Sequence, residues 1–501
     1  MSEARDRGVV LIGVGQLRNN RERVPEEALE PLDLIERAAG GAAADAGLDR
    51  AALAALDAVG VVQIVSWTYE DPAAAVASRI GAGDVRGTVS GAGGHQPVAV
   101  LAELAAAIAA GESELALLCG GEAQSSVELL GAVKDPDAAA GWSHEPGGVG
   151  KFSRAVGGTE RMWDLGLVGP IRVYPLFENR LRADLGQSFA ESQDWSARMY
   201  ARFSEIAAGN EAAWNQEPVS AAEVATIDAR NRMICWPYPL RMNAYNRVDQ
   251  AGAVLLASVA AADRLGVPAE RRVHLHATAV AADSEDVLER EGYGRSPGLE
   301  ATLDAALAGA GTTAGDLDLV DLYSCFPIVP KLGAIHLGRR DDLELSATGG
   351  LTSFGGAHND YSMHALVAAV RGIRAGAERG LVYANGEYLT RHAAAVLGRE
   401  AGDGPLASAN VDGGETAPRL DDELLGEVEV ETFTVEFDRE ARPARGYVIV
   451  RGPDGARSGV RVSKSDAATL AALVSETDEP IGRTGRVVRE GDRRLFTFGA
   501  A

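Results

Sequence analysis

Hydrophobic positions along this chain follow two patterns, and one of them occurs twice. Residues 98–110 are almost all Ala, Val, Leu and Ile, so a helix there is apolar on every side and belongs in the interior. A Gly-rich stretch precedes it, and Gly111 stands where a helix C-cap is expected. A short apolar strand, LALLC, follows and closes on Gly-Gly-Glu122. Residues 355–387 repeat this order with a Gly-rich opening, an Ala-rich helix, Gly376, the strand GLVYA and Asn-Gly-Glu387. The offset is 265, the separation of Gly111 from Gly376.

The preceding segments repeat as well. Residues 31–66 and 296–327 each read as helix, loop, short helical piece and strand, with Asp57 and Asp318 just before the strands. Near-continuous apolar strands between helices predict a mainly parallel, buried sheet. Two such halves around two all-apolar helices predict an α/β architecture in five αβαβα layers. The Gly-rich starts of the central helices carry free N–H groups and partial positive charge, which suits them to hold a developing oxyanion.

A different pattern begins near residue 410. EVEVETFTVEFDREARPARGYVIVRGPDG alternates in strand fashion, and IGRTGRVVREGDRRLFTF does so around a Glu-Gly-Asp turn. The helix SKSDAATLAALVSE lies between them, with Ser465 as the expected N-cap. Strands with one helix predict a small OB-like β-barrel. The Gly-, Ala- and Asp-rich stretch 398–416 reads as a linker. The expected organisation is an N-terminal half over 1–265, with a loop domain over about 125–240, a second half over 266–408 and the barrel over 409–501.

Charge and cysteines narrow the function. A net charge of -24 with no run of Lys or Arg long enough to make a basic patch argues against nucleic acid as a partner. Cys119, Cys235 and Cys325 have no metal-site or disulfide spacing, so no metal is expected. The N-terminal apolar run is too short for an export signal, and no run reaches the length of a membrane span. A reducing cytoplasm fits these features. G-V-G-Q at 13–16 lacks the third glycine of a dinucleotide fingerprint.

The duplicated pattern resembles the thiolase superfamily over about residues 5–408, and the sterol-carrier-protein type within it. The segments 190–218 and 241–258, the latter with Asp249 and Gly252, carry the likeness beside the repeat. With the added C-terminal domain, the chain is similar to thiolase-like protein type 1. That resemblance implies coenzyme A or an acyl-CoA as a non-covalent ligand, and a monomer or homodimer. It also implies a nucleophilic Cys, a catalytic His and a second Cys. Those three positions here hold Gly94, Gly356 and Ala384. Acyl-enzyme formation needs a nucleophile, so Cys-dependent thiolysis is not expected.

The neighbours of these vacancies are the candidate site. His95, His358, Asn385, Tyr323 and Ser324 are the candidates for chemistry. Gly94, Gln96, Gly356, Asn359, Asn243 and Cys325 are the candidates for substrate contact. Cys325 also reads as a small buried hydrophobe. Three functions compete. The first is acyl transfer by an altered mechanism, with His95 or His358 moving a proton. The second is acyl-CoA binding without catalysis. The third is carbon–carbon cleavage of an acyl-CoA by tyrosines among Tyr245, Tyr323 and Tyr361.

Overall fold

The computed structural model describes residues 8–139, 141–143, 147–148, 157–402 and 404–499. The first seven residues of the stretch read for an export signal lie outside these. So do parts of the expected loop domain and Asp403 of the 398–416 stretch.

One half of the body contains β1 (Val9–Arg18), β2 (Ala58–Val61), β3 (Arg86–Val89), β4 (Leu115–Ala123) and β7 (Asp249–Ser258). The other contains β8 (Val273–Ala282), β9 (Leu319–Leu322), β10 (Arg379–Gly386), β11 (Arg391–Gly398) and β12 (Ala407–Asp412). The strand order β3-β2-β4-β7-β1 continues through a short β1–β8 pairing into β8-β11-β10-β9. The sheet is mixed rather than mainly parallel. β2 runs parallel to β3 and β4, whereas β7 runs antiparallel to β4 and β1. The second half repeats this, with β10 parallel to β9 and β11 antiparallel to both neighbours. Burial on both faces removes the alternation that would have marked the antiparallel strands.

Three apolar cores separate the layers. Helices α1 (Pro31–Asp45) and α2 (Pro72–Ile80) pack on the outer face of the first half. Helices α3 (Gln96–Ala110) and α9 (Tyr361–Ala375) fill the space between the halves. Helices α7 (Pro297–Gly309) and α8 (Ile328–His336), with the segment around α5 (Pro170–Asp184) and α6 (Phe189–Ala208), cover the second half. Gly111 and Gly376 are the C-caps of the central helices, at φ 78° and 137°. Asp57 accepts from the backbone N–H groups of Glu114 and Leu115, and Asp318 from those of Glu378 and Arg379. The duplicated aspartates thus start the duplicated strands.

The 398–416 stretch is not only a connection. Its β12 runs through residue 408 and lies parallel to β8, bonded in register from Ala407–Ala277 to Asp412–Ala282. Small residues alternating with polar ones suit an edge strand whose outer side chains stay partly wet.

After it come β13 (Gly426–Phe437), β14 (Pro443–Arg451), β15 (Arg457–Val462), β16 (Thr484–Glu490) and β17 (Arg493–Thr497). They close in the order β13-β14-β15-β17-β16-β13, with β15 and β17 parallel, a five-stranded barrel. Helix α10 (Ala467–Leu473) joins the third strand to the fourth and plugs the barrel with Leu470 and Leu473. Its N-cap is Asp466, which accepts from Thr469 N–H at 2.9 Å, one residue after the expected Ser465. β5 (Met233–Trp236) extends the barrel from the body by pairing with β13. Among the described residues no helix is long and apolar enough to cross a membrane.

Candidate functional site

The N-termini of α3 and α9 face each other and are bound together. Asn359 Oδ1 accepts from Gly93 N–H at 2.8 Å, its amide nitrogen donates to Gln63 O at 3.0 Å, and Ser362 Oγ donates to Gly94 O at 2.7 Å. A cavity of about 560 Å³ opens beside this contact. β10 contributes Asn385, and the turn after it Glu387 and Tyr388. The loop after β9 contributes Tyr323, Cys325 and Phe326. Asn243, Ala244, Asn246 and the segment from Trp163 to Tyr174 complete the wall.

The positions without side chains are filled by neighbours. A Cβ built on Gly94 would overlap the phenol oxygen of Tyr323. A Cβ on Gly356 would lie 2.7 Å from Asn246 Oδ1. The phenol and the amide therefore occupy space next to the bare glycines. Ala384 points into the core between the halves, away from the cavity. Strand alternation puts Asn385 on the opposite face, toward α5.

Of the expected residues, the cavity brings together Gly94, His358, Asn359, Asn385, Tyr323, Asn243 and Cys325. The other four stand outside its lining. His95 packs against Gly386, where a Cβ would overlap its imidazole, so the ring lies behind the end of β10. Gln96 bonds back to Ala92 O at 3.4 Å. Ser324 is buried; its hydroxyl accepts from Leu351 N–H at 3.3 Å and its carbonyl from the Tyr200 hydroxyl at 2.9 Å. Gly356 carries the backbone turn, donating to Tyr245 O at 2.8 Å. Of the other two tyrosines considered, Tyr245 is exposed and Tyr361 is buried, its hydroxyl accepting from Gly350 N–H at 3.1 Å.

Sequence reasoning missed Tyr174, Asn246, Glu387 and Tyr388. Asn385 Nδ2 donates to the Tyr174 hydroxyl at 2.6 Å, and that hydroxyl donates to Glu387 O at 2.8 Å. The Tyr388 hydroxyl accepts from Gly169 N–H at 2.9 Å. Glu387 and Leu389 have φ of 56° and 55°, a strained tight turn for residues with side chains. The Asn-Gly-Glu ending of the repeat was the available signal for this turn. Behind Asn385, the Tyr383 hydroxyl meets His392 Nδ1 at 2.7 Å, and His392 Nε2 meets Asp283 at 3.2 Å.

Burial keeps His95, His358, the Tyr323 phenol and the Cys325 thiol uncharged near neutral pH. It pushes His95 down to about 3, with the charges of His392 and Arg391 adding to the effect, and His358 down to about 4. It raises the Tyr323 phenol well above its ordinary range, helped by Cys325 and Tyr361. Burial also pushes the Cys325 thiol up to about 12, although the polar groups of Tyr174 and Asn385 beside it act to lower it. At pH 7 only about one part in 100,000 of such a thiol is thiolate. The Oδ1 atoms of Asn243 and Asn385 are buried without a hydrogen-bond donor among the described residues. A ligand N–H or O–H reaching them would relieve that cost.

Comparison with known proteins agrees with this architecture. The family model for the thiolase-like protein type 1 additional C-terminal domain matches residues 409–492. Among solved structures, the chain is similar to a monomeric SCP2-thiolase like protein type 1 from Mycobacterium smegmatis, at 29% identity and TM-score 0.82, covering 99% of both chains. The Ltp2-ChsH2(DUF35) aldolase shares 19% identity at TM-score 0.59, over 78% of this chain and 98% of that one. The dimeric peroxisomal thiolase of Saccharomyces cerevisiae shares 15% at TM-score 0.59, over 80% and 100%. These last two show the fold. No curated protein matches. The fold is that of the thiolase superfamily. Within it, the chain is similar over its length to a thiolase-like protein type 1, and residues 409–492 match the additional C-terminal domain of that type.

Proposed function

We propose that this protein binds an acyl-CoA thioester without forming an acyl-enzyme. The observation that carries the reading is the Tyr323 phenol beside Gly94, in the space a nucleophilic side chain would need. The phenol, kept protonated by burial, donates to the thioester carbonyl at a helix N-terminus. The pantetheine arm of coenzyme A carries two amide N–H groups, and the cavity offers two orphan acceptors, Asn243 Oδ1 and Asn385 Oδ1. Histidines held near 3 and 4 are poor proton carriers at neutral pH, which weighs against acyl transfer. The similar protein from Mycobacterium smegmatis is monomeric, which supports a monomer here.

Incubation with acetyl-CoA followed by intact-protein mass spectrometry tests the reading. Unchanged mass is the expected result, and a covalent acetyl adduct would overturn it. Tyr323 together with Tyr174 and Tyr388 favours one second reading, tyrosine-assisted cleavage of a β-hydroxyacyl-CoA. Turnover of such a substrate, lost in Tyr323→Phe, would establish that reading over simple binding.

A further inference from the structure

No run of Lys or Arg longer than two exists in the sequence, yet the fold gathers four cations from three segments into one cleft. The cleft lies on the barrel, measures about 850 Å³ and is lined by Arg445 of β14, Arg461 of β15, Lys464 after it and Arg493 at the start of β17. Ser463 and Ser465 flank Lys464, their hydroxyls 2.8 Å apart. Two carboxylates, Glu490 and Asp492, also line it, so the cleft stays net positive in a chain of net charge -24.

The cations are not equivalent. Arg445 bonds Glu436 at 3.3 Å. Arg461 is fixed by the carbonyls of Leu165, at 2.5 Å, and Asp164 at the end of α4 (Glu160–Leu165). Lys464 and Arg493 are exposed, with no ion pair among the described residues. Two fixed cations, two uncommitted ones and two hydroxyls make a receptor for an anion with several oxygens.

Position identifies the anion. α4 and the turn after it form a wall shared by two spaces: Gly166 lines the cleft, while Trp163, Val168 and Gly169 line the thioester cavity. Arg172 ties the wall, donating to Gly166 O at 3.1 Å and lying 5.7 Å from the Tyr447 ring of the cleft. We propose that this barrel cleft binds the phosphate-bearing adenosine end of the acyl-CoA whose thioester enters the cavity, an inference that rests on the function proposed above. The added domain is then part of the ligand site. OB-type barrels also offer this face, the second and third strands and the last hairpin, to nucleic acid, and the overall charge opposes that.

Calorimetric titrations of the full chain with coenzyme A, adenosine 3′,5′-bisphosphate, pantetheine and inorganic phosphate test the proposal. The comparison is with Lys464→Gln/Arg493→Gln, which removes exposed charges and should leave the melting temperature unchanged. Coenzyme A affinity should fall roughly tenfold or more in the variant. Adenosine bisphosphate binding should be lost and pantetheine binding unchanged. Coenzyme A binding equally tight in both proteins would overturn the cleft and leave the cavity reading intact. Bisphosphate binding through Lys464 and Arg493 with no pantetheine binding would support the cleft and sink the cavity reading. Inorganic phosphate binding as tightly as the bisphosphate, or a single-stranded oligonucleotide binding through these residues in preference to coenzyme A, would overturn the proposal.

Discussion

Tyr323 and Asn246 stand against Gly94 and Gly356, and the first pair has a testable consequence. Gly94→Ala pushes a methyl group into the Tyr323 phenol and should destabilise the protein by about 1–3 kcal/mol. Adding Tyr323→Ala should restore part of that loss in urea unfolding; strictly additive effects would contradict the packing. Protonation gives a second test. His95 and His358 are held at about 3 and about 4 by burial, below the ordinary 6.5. The unfolded chain binds more protons in that interval, so their contribution to stability is lost as pH falls below 6.5. Glu122 acts in the opposite sense, because burial raises its carboxyl from 4.5 to about 7 and its contribution to stability declines as pH rises through that window. Urea midpoints across pH 4.5–7 should show a flatter acid limb in His358→Gln and a steeper rise with pH in Glu122→Gln. Unchanged slopes would contradict the burial of these groups. The bare positions at 94 and 356 were picked out through the thiolase resemblance, which says where reactive side chains are expected. Asn246, Tyr174 and Tyr388 were not, because tertiary packing alone brings their segments to α3 and α9. His95 stands next to Gly94 in sequence but turns behind β10, which a helix start seen without its neighbours cannot reveal.

At the scale of elements, duplication carried most of the legible information. A helix apolar all round, a capping glycine and a buried strand are strong local signals, and the paired aspartates at 57 and 318 act as the repeat implies. Strand direction was not legible, since the antiparallel β7 and β11 are as apolar as β4 and β10, which pair in parallel on their other side. β12 was hidden in a Gly- and Asp-rich stretch because it gains order by pairing with β8 rather than from its own composition. The outer layer of the second half holds a buried ion pair, Lys331 on α8 with Glu178 on α5, at 2.5 Å and both nearly without exposure. Glu178 also accepts from Ser192 and the Tyr238 hydroxyl. Lys331→Met should cost about 3–5 kcal/mol by leaving that buried carboxylate without its counter-charge, read as a lower denaturation midpoint. Glu178→Gln added to it should recover part of the loss.

The whole molecule is a thiolase body joined to its barrel by buried charge. Arg457 of β15 pairs with Glu431 at 2.5 Å and donates to the carbonyls of Leu288, at 2.8 Å, and Arg290 in the body. Arg457→Leu should let the barrel melt ahead of the body, giving two calorimetric transitions in place of one; a single unshifted transition would contradict this role. The cavity between the helix starts is proposed to receive an acyl-CoA. Its most direct test is calorimetric titration of acetoacetyl-CoA into the wild-type protein and into Val168→Trp, which places an indole in the cavity wall. Saturable one-to-one binding by the wild type and its loss in Val168→Trp is the predicted result. No saturable heat in the wild type, or equal affinity in the two proteins, would contradict it.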